Sequence, residues 1–326
     1  WYRRLFGFTP KIEENPDPGA FVELCFSPGC SRSILVQWIY VVSRNVRKWW
    51  RSPRPVLIMI ANSIVYGLVL GLLYSERDHS QLGAKETPAL LYFMNLVLSK
   101  IVMTYIPEIF DQRAMFYRET ASKAYIPVVY LSSLILITCF LLVITGLPIV
   151  VLTWTLAGLQ SEWYKIGYML GMGCVTPIVA YGLALFLSCS VAAPELANGL
   201  FSIVNLINSF INGYVLLHPQ IPAYWIWAYW IGFQHYSLEG IILNELQGET
   251  FHCKNNDGAL AIPVPSDSDP NRIRYYCPIE TGEDMIEELE LHSGWLLPDL
   301  LAVIALISIF FFLSAIIITR VKHINR

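Results

Sequence analysis

Apolar residues in this chain fall into long runs separated by short polar stretches. A membrane helix needs about 20 apolar residues. Runs of that length cover Pro55–Ser75, Thr87–Pro107 (interrupted only by Lys100), Ala124–Ser161, Ile166–Pro194, Leu196–Leu238 and Leu300–Thr319. The third is longer than one straight span requires, and Gly146 and Pro148 predict a kink or break within it. The fifth is longer still. Its first part, Leu196–Leu217, reads as a helix, and His218–Pro222, with prolines at 219 and 222, should end it. Beyond lie Tyr224, Trp225, Trp227, Tyr229 and Trp230, residues that favour the membrane–water interface. This part reads as a re-entrant or interfacial element; the alternative is a seventh true span. Before the first run, Ser31–Arg51 places Ile34, Leu35, Trp38, Ile39, Val42 and Val46 on one face, with Arg44, Arg47, Lys48 and Arg51 nearby. That pattern predicts an amphipathic helix on the inner leaflet, and Pro53 and Pro55 turn the chain into the bilayer. The expected fold is an all-α polytopic membrane protein. It has six transmembrane helices, an N-terminal amphipathic connecting helix and a re-entrant outer element.

Charge placement orients the spans. With six spans and both ends cytoplasmic, fifteen of the 22 basic residues lie inside and six outside, Lys100 being the remaining one. This satisfies the positive-inside rule; a seventh span would place Arg320, Lys322 and His323 outside. The loop 245–292 carries eleven acids against three bases, as expected for an extracellular segment. Composition agrees: 55% of residues are hydrophobic and 14% charged, against about 25% charged in soluble domains. That excludes a disordered chain, a coiled coil and a disulfide-rich secreted module. A net charge of -3 gives no reason to expect nucleic acid. The chain begins at Trp1 and reads as a piece of a longer polypeptide. Of seven cysteines, Cys253 and Cys277 sit outside, where a disulfide persists; free thiols are the alternative. No Asn-x-Ser/Thr sequon occurs.

Catalytic chemistry is missing from the sequence. No Gly precedes a Lys, so there is no phosphate-binding P-loop. There is no His-Glu-x-x-His, Gly-x-Ser-x-Gly or Cys-x-x-Cys, and no metal site is expected. What is present are faces. Asn198, Ser202, Asn205, Ser209 and Asn212 recur at spacings of 4, 3, 4 and 3, one helical stripe. Polar side chains are costly against lipid. The stripe therefore serves either interhelical hydrogen bonds or the wall of a translocation path. Tyr92, Asn95, Ser99, Val102 and Met103 share a face of the second span, where an apolar wall with few polar groups suits amphipathic ligands and ordinary packing is the alternative. Lys100 can snorkel or pair with Glu108. Gly67/Gly71 and Gly167/Gly171 permit close helix contact. Between spans two and three, the charged and aromatic segment 108–123 is compatible with a short rigid helix that transmits force from a cytoplasmic partner.

That segment carries a resemblance. Asp111-Gln112-Arg113-Ala114-Met115-Phe116-Tyr117-Arg118-Glu119, followed by Ala121–Tyr125, resembles the Glu-Arg-x-x-Phe-Tyr-Arg-Glu coupling segment of G-subfamily ABC transporters, especially the pleiotropic-drug-resistance group. Gln112 stands where the family has Glu. Ile221–Trp227 and Ser237–Glu245 look like the family's segment after the fifth span, and the resemblance covers about residues 31–326. It implies the membrane domain of an ABC exporter in the plasma membrane. The implied layout is a linker (1–30), the connecting helix (31–54), the six-span domain (55–320) and a cytoplasmic tail (321–326). ATP and magnesium would bind nucleotide-binding domains outside this chain, and a second membrane domain would complete the pathway. Substrates would be hydrophobic or amphipathic: drugs, sterols or other lipids. By the same resemblance Arg113, Phe116, Tyr117, Arg118 and Glu119 couple to a nucleotide-binding domain. Asn95, Ser99, Met103, Asn205, Ser209 and Asn212 line the pathway, and Tyr214, Val215 and Leu216 form an outer gate. Two other readings compete: an ion-coupled carrier titrating Lys100, Glu195 and Glu239, and a structural membrane subunit without transport.

Overall fold

The computed structural model describes residues 33–75, 77–252, 262–266, 269–276 and 279–320. Its first element is the amphipathic helix α1, Ile34–Arg51. Helices α2 (Arg54–Leu73) and α3 (Gln81–Lys100) follow, each begun as the sequence directs. Pro55 sits in the first turn of α2, where its missing N–H costs nothing. The Ser80 hydroxyl caps α3 by accepting from the Gly83 amide. A 3-10 segment, Ile101–Tyr105, carries α3 directly into α4, Ile106–Ala121. The coupling segment is thus a continuation of the second span and not a detached helix.

Helix α5 runs unbroken over Pro127–Leu156, so the break expected at Gly146 and Pro148 is absent. At 1.5 Å per residue it is about 45 Å long. Proline at 148 removes one hydrogen bond, and packing on both sides holds the rest of the helix. Helix α6 (Trp163–Ser190) is the hub. It packs against α3, α4, α5, α9 and the last span, with Tyr181 fully buried against Phe311. Helix α7 spans Pro194–Phe210, then α8 (Ile226–Ile231) and α9 (Phe233–Leu246) form the outer element. A two-stranded antiparallel hairpin, β1 (Ile262–Ser266) and β2 (Asp269–Tyr276), follows, with Ile262 opposite Tyr276. Isolated bridges, Ser80 with His252 and Thr250 with Thr281, are the other β pairings among the described residues of an otherwise helical domain. Helix α10 (Gly282–Glu288) and the last span α11 (Leu296–Arg320) complete the chain.

Among the described residues, five helices are long and apolar enough to cross a membrane: α2, α3 continued into α4, α5, α6 and α11. The expected sixth, α7, has 17 residues. That gives about 25 Å against a hydrocarbon core of about 30 Å. The count of six helices is therefore met only if α7 crosses together with the irregular segment after it. Helix pairing follows small residues. A Cβ on Gly67 would lie 3.0 Å from Leu152 Cβ, and one on Gly71 2.7 Å from Leu156 Cβ, so these glycines seat α2 on α5. Gly167 and Gly171 face open space. The second small-residue motif makes no close contact among the described residues.

Candidate functional site

Helix α1 lies with its polar side on the protein. Gln37, Val41 and Asn45 are buried, at spacings of four, while Ile34, Leu35, Ile39 and Val46 are exposed. The apolar side is thereby left for lipid. Three contacts seat the helix. Gln37 Oε1 accepts the Ile126 amide at 3.1 Å. Arg44 pairs with Glu119 at 2.5 Å, and Lys48 pairs with Glu108. Glu108 is thus taken by Lys48 and Gln112, and Lys100 is exposed, so of the two alternatives for Lys100 the pair with Glu108 is not the one formed. The Arg44 guanidinium also lies 6.0 Å from the Tyr125 ring centroid. Burial, reinforced by the Glu119 carboxylate, holds the Tyr125 hydroxyl above the usual phenol range.

The same geometry divides the coupling residues. Phe116 is 3% exposed, its ring 4.7 Å from that of Tyr130. Arg113 donates to the carbonyls of Val191, at 2.8 Å, and Ser188, closing the C-terminal end of α6. Its guanidinium lies 4.1 Å from the Phe110 ring centroid. Tyr117 is half-buried and Glu119 is engaged by Arg44. Arg118 is exposed, and so are Pro107, Asp111, Ala114 and Ala121, spaced 4, 3, 4 and 3. Phe116 and Arg113 therefore fix α4 to the bundle, and one stripe of α4 remains uncovered.

The polar stripe of α7 faces inward. Asn205, Ser209 and Asn212 are 3%, 3% and 2% exposed, while Leu196, Ile203, Leu206 and Phe210 occupy the open side. Asn205 Oδ1 accepts from Gln234 Nε2 at 2.9 Å. Asn95 Nδ2 donates to the Gln234 carbonyl at 3.4 Å, and Ser237 Oγ donates to Asn95 Oδ1 at 3.1 Å. Ser237 also bonds Thr176 on α6. Four helices thus share one hydrogen-bonded chain. Ser99 bonds its own helix at the Asn95 carbonyl. Met103 is half-buried, with its sulfur 4.0 Å from Ser202 Oγ. The partners Gln234, Ser237 and Thr176 escaped sequence reasoning. Their signal was polar side chains inside apolar runs, but no spacing ties them to Asn95.

Helix α7 stops because Asn212 and Gly213 stop it. Asn212 Oδ1 accepts the amides of Tyr214 at 3.0 Å and Val215 at 3.3 Å, an Asx turn, and Gly213 adopts φ +88. The turn brings Tyr214 against Tyr92 of α3, ring centroids 5.4 Å apart. Tyr92 OH donates to the Ser209 carbonyl at 3.4 Å. Val215 is 41% exposed and Leu216 half-buried. Leu216 lines an apolar cleft of about 350 Å³ with Ile207, Phe210, Ile211, Ile221 and Trp225. At the same end a polar brace ties loops together. Buried Arg77 lies 4.0 Å from Glu245 and 3.9 Å from Glu249, and donates to the Gly158 carbonyl at 3.1 Å. Cys253 and Cys277 lie outside the described residues, among which Cys139 and Cys174 are free thiols.

The family described as ABC-2 type transporter matches residues 36–246. The chain is 29% identical over 286 residues to ABC transporter G family member 5 of Dictyostelium discoideum, covering 86% of this chain and 19% of that protein. It is 28% identical over 286 residues to G family member 6 of the same organism, with the same coverage. It is 27% identical over 210 residues to ABC transporter G family member 4 of Arabidopsis thaliana, covering 64% of this chain and 35% of that protein. The chain thus spans about a fifth of the length of the first two relatives.

Proposed function

We propose that this chain, which belongs to the ABC-2 type transporter family, is the membrane domain of an ATP-driven G-family exporter of hydrophobic or amphipathic molecules. Family membership gives it a transport role in the membrane. The finer reading places ATP and magnesium on nucleotide-binding domains outside this chain. It requires a second membrane domain, a plasma-membrane location and cytoplasmic termini, and it assigns the pleiotropic-drug-resistance group.

One observation carries the proposal: α1 is clamped to α4 by Arg44–Glu119 and Lys48–Glu108, while the face of α4 bearing Asp111, Ala114 and Arg118 stays open. A helix fused to a span, held by a second helix and presenting an uncovered charged stripe is suited to receive force from a docked domain. In this reading Arg113 and Phe116 position the lever, Tyr117 and Glu119 stiffen it, and Arg118 meets the nucleotide-binding domain. The pathway runs between α3 and α7, past Met103 and Ser202, with Asn95, Ser99, Asn205, Ser209 and Asn212 holding its wall from behind. Tyr214, Val215 and Leu216 close its outer end, where Tyr214 meets Tyr92.

The test is ATP-dependent efflux of a lipophilic fluorescent dye from cells expressing the full-length protein. Asp111→Arg combined with Arg118→Glu should abolish efflux while surface amount and nucleotide binding persist. Normal efflux from that variant would remove the α4 face from the mechanism.

A further inference from the structure

At the end of the bundle opposite α4, four titratable side chains meet where α9 packs on the start of α11. The end is fixed by α6, whose C-terminal carbonyls bind Arg113 and whose Tyr168, near its N-terminus, donates to the Leu296 carbonyl at 2.8 Å. Glu239 on α9 is 1% exposed and Asp299 in the first turn of α11 is fully buried. Glu239 Oε1 accepts the His292 amide at 2.9 Å and lies 3.2 Å from His292 Nδ1. Glu239 Oε2 lies 3.4 Å from His235 Nε2 without a hydrogen bond between them. Both oxygens of Asp299 also lack a hydrogen-bond partner among the described residues, while the His235 ring faces the Asn212 backbone. The remaining neighbours include no lysine or arginine. Tyr229 lies 3.8 Å from the His235 ring, His218 packs on Tyr229, Tyr236 neighbours His235, and Tyr168 and Glu239 lie within electrostatic reach of Asp299.

Two ionised carboxylates in such a place would be a buried double negative charge with only imidazole rings, and no lysine or arginine, set against it. Burial without a partner costs several kcal/mol per ion, so the site must take up positive charge. No group of three His, Cys, Asp or Glu side chains among the described residues is arranged to hold a metal ion. We propose that Glu239 and Asp299 form a proton-binding site that stays occupied at neutral pH, with His292 as its route to the bulk solution. His292 is suited to that role because its side chain is 42% exposed while its backbone and ring both engage Glu239. Trp295 stacks on the His292 ring at 4.2 Å and 18°, keeping it over the site. The proton neutralises one carboxyl, and its loss leaves both charged, loosening α9 from α11. External acidity then sets how firmly the outer element is held.

The experiment is infrared spectroscopy of the full-length protein in lipid nanodiscs at neutral pH, wild type against Glu239→Gln/Asp299→Asn. Both replacements are neutral and nearly isosteric, and gel filtration reports whether the fold is kept. The expected result is a protonated-carboxyl C=O band in the wild type that is missing from the variant. His292→Ala should slow exchange of that proton with deuterium in D2O. A wild-type spectrum without the band overturns the proposal even if the variant does not fold, and so does an unchanged band in a folded variant. A band that appears only when choline replaces sodium also overturns it, in favour of a bound metal cation.

Discussion

Arg44 of α1 and Glu119 of α4, 75 residues apart, form a part-buried ion pair that fastens the connecting helix to the coupling segment. Neither residue alone predicts the other. A half-exposed pair of this kind adds about 0–1 kcal/mol to stability, so its value lies in geometry. Arg44→Glu and Glu119→Arg should each reduce transport strongly, with little effect on expression. The exchanged double variant should recover part of it. Dye efflux measured across this four-member cycle checks the coupling, and strictly additive losses would remove it.

The two small-residue motifs behave oppositely. A Cβ on Gly71 falls 2.7 Å from Leu156 Cβ, whereas one on Gly171 meets nothing within 4 Å. Overpacking a filled contact costs about 1–3 kcal/mol, so Gly71→Val should lower the melting temperature of detergent-solubilised protein. Gly171→Ala should leave it unchanged or raise it, because alanine favours helix over glycine by about 0.5–1 kcal/mol. Tryptophan-fluorescence melts distinguish the two.

Asn205 and Asn212 sit on one stripe with different duties. Asn205→Ala removes a single interhelical hydrogen bond from Gln234, a loss that averages about 0.6 kcal/mol within membranes. It should fold and reach the surface. Asn205→Leu should narrow the space beside it and slow bulky substrates first. Asn212→Ala removes the acceptor for two backbone amides, at a cost of about 1–3 kcal/mol for the groups left unsatisfied. It should shift Tyr214 away from Tyr92. Transport of several dyes, normalised to surface amount, reads all three; an unchanged dye ranking in both Asn205 variants would remove that residue from the pathway.

Helix α10 carries a pH-sensitive cap. The Asp284 carboxylate accepts the amides of Thr281 at 2.8 Å and Glu280 at 3.0 Å, and these donors hold it below the usual carboxylate range. A depressed folded value contributes stability above the unfolded pKa, about 3.9, and loses it as pH falls through the folded one. Asp284→Asn should therefore increase hydrogen–deuterium exchange across 282–288 at neutral pH, after correction for intrinsic rates. The difference should vanish in acid. The group is exposed, so the effect is small and local.

The sequence by itself determined five of the spans, because backbone polar groups in a bilayer core must be satisfied within a helix. It likewise determined the amphipathic α1 and, through motif, the family. It placed the end of the helix in the fifth run at His218–Pro222, whereas α7 stops at Phe210, because Asn212 and Gly213 turn the chain before the prolines are reached. Tertiary structure decided what the polar and charged side chains do. The periodicity of Asn205, Ser209 and Asn212 shows that they share a face, but the direction of that face depends on which helix lies opposite. Here Gln234, from another element, supplies the partner for Asn205. The resemblance assigned Phe116 and Arg113 to coupling, but it could not say what they touch: Arg113 donates to the C-terminal carbonyls of α6, and Phe116 packs on the Tyr130 ring. Pro148 read as a break, and packing on both sides of α5 kept the helix whole. Local pattern fixes how a segment satisfies its own backbone, while a side chain's role is set by residues tens of positions away that only the packed bundle brings near.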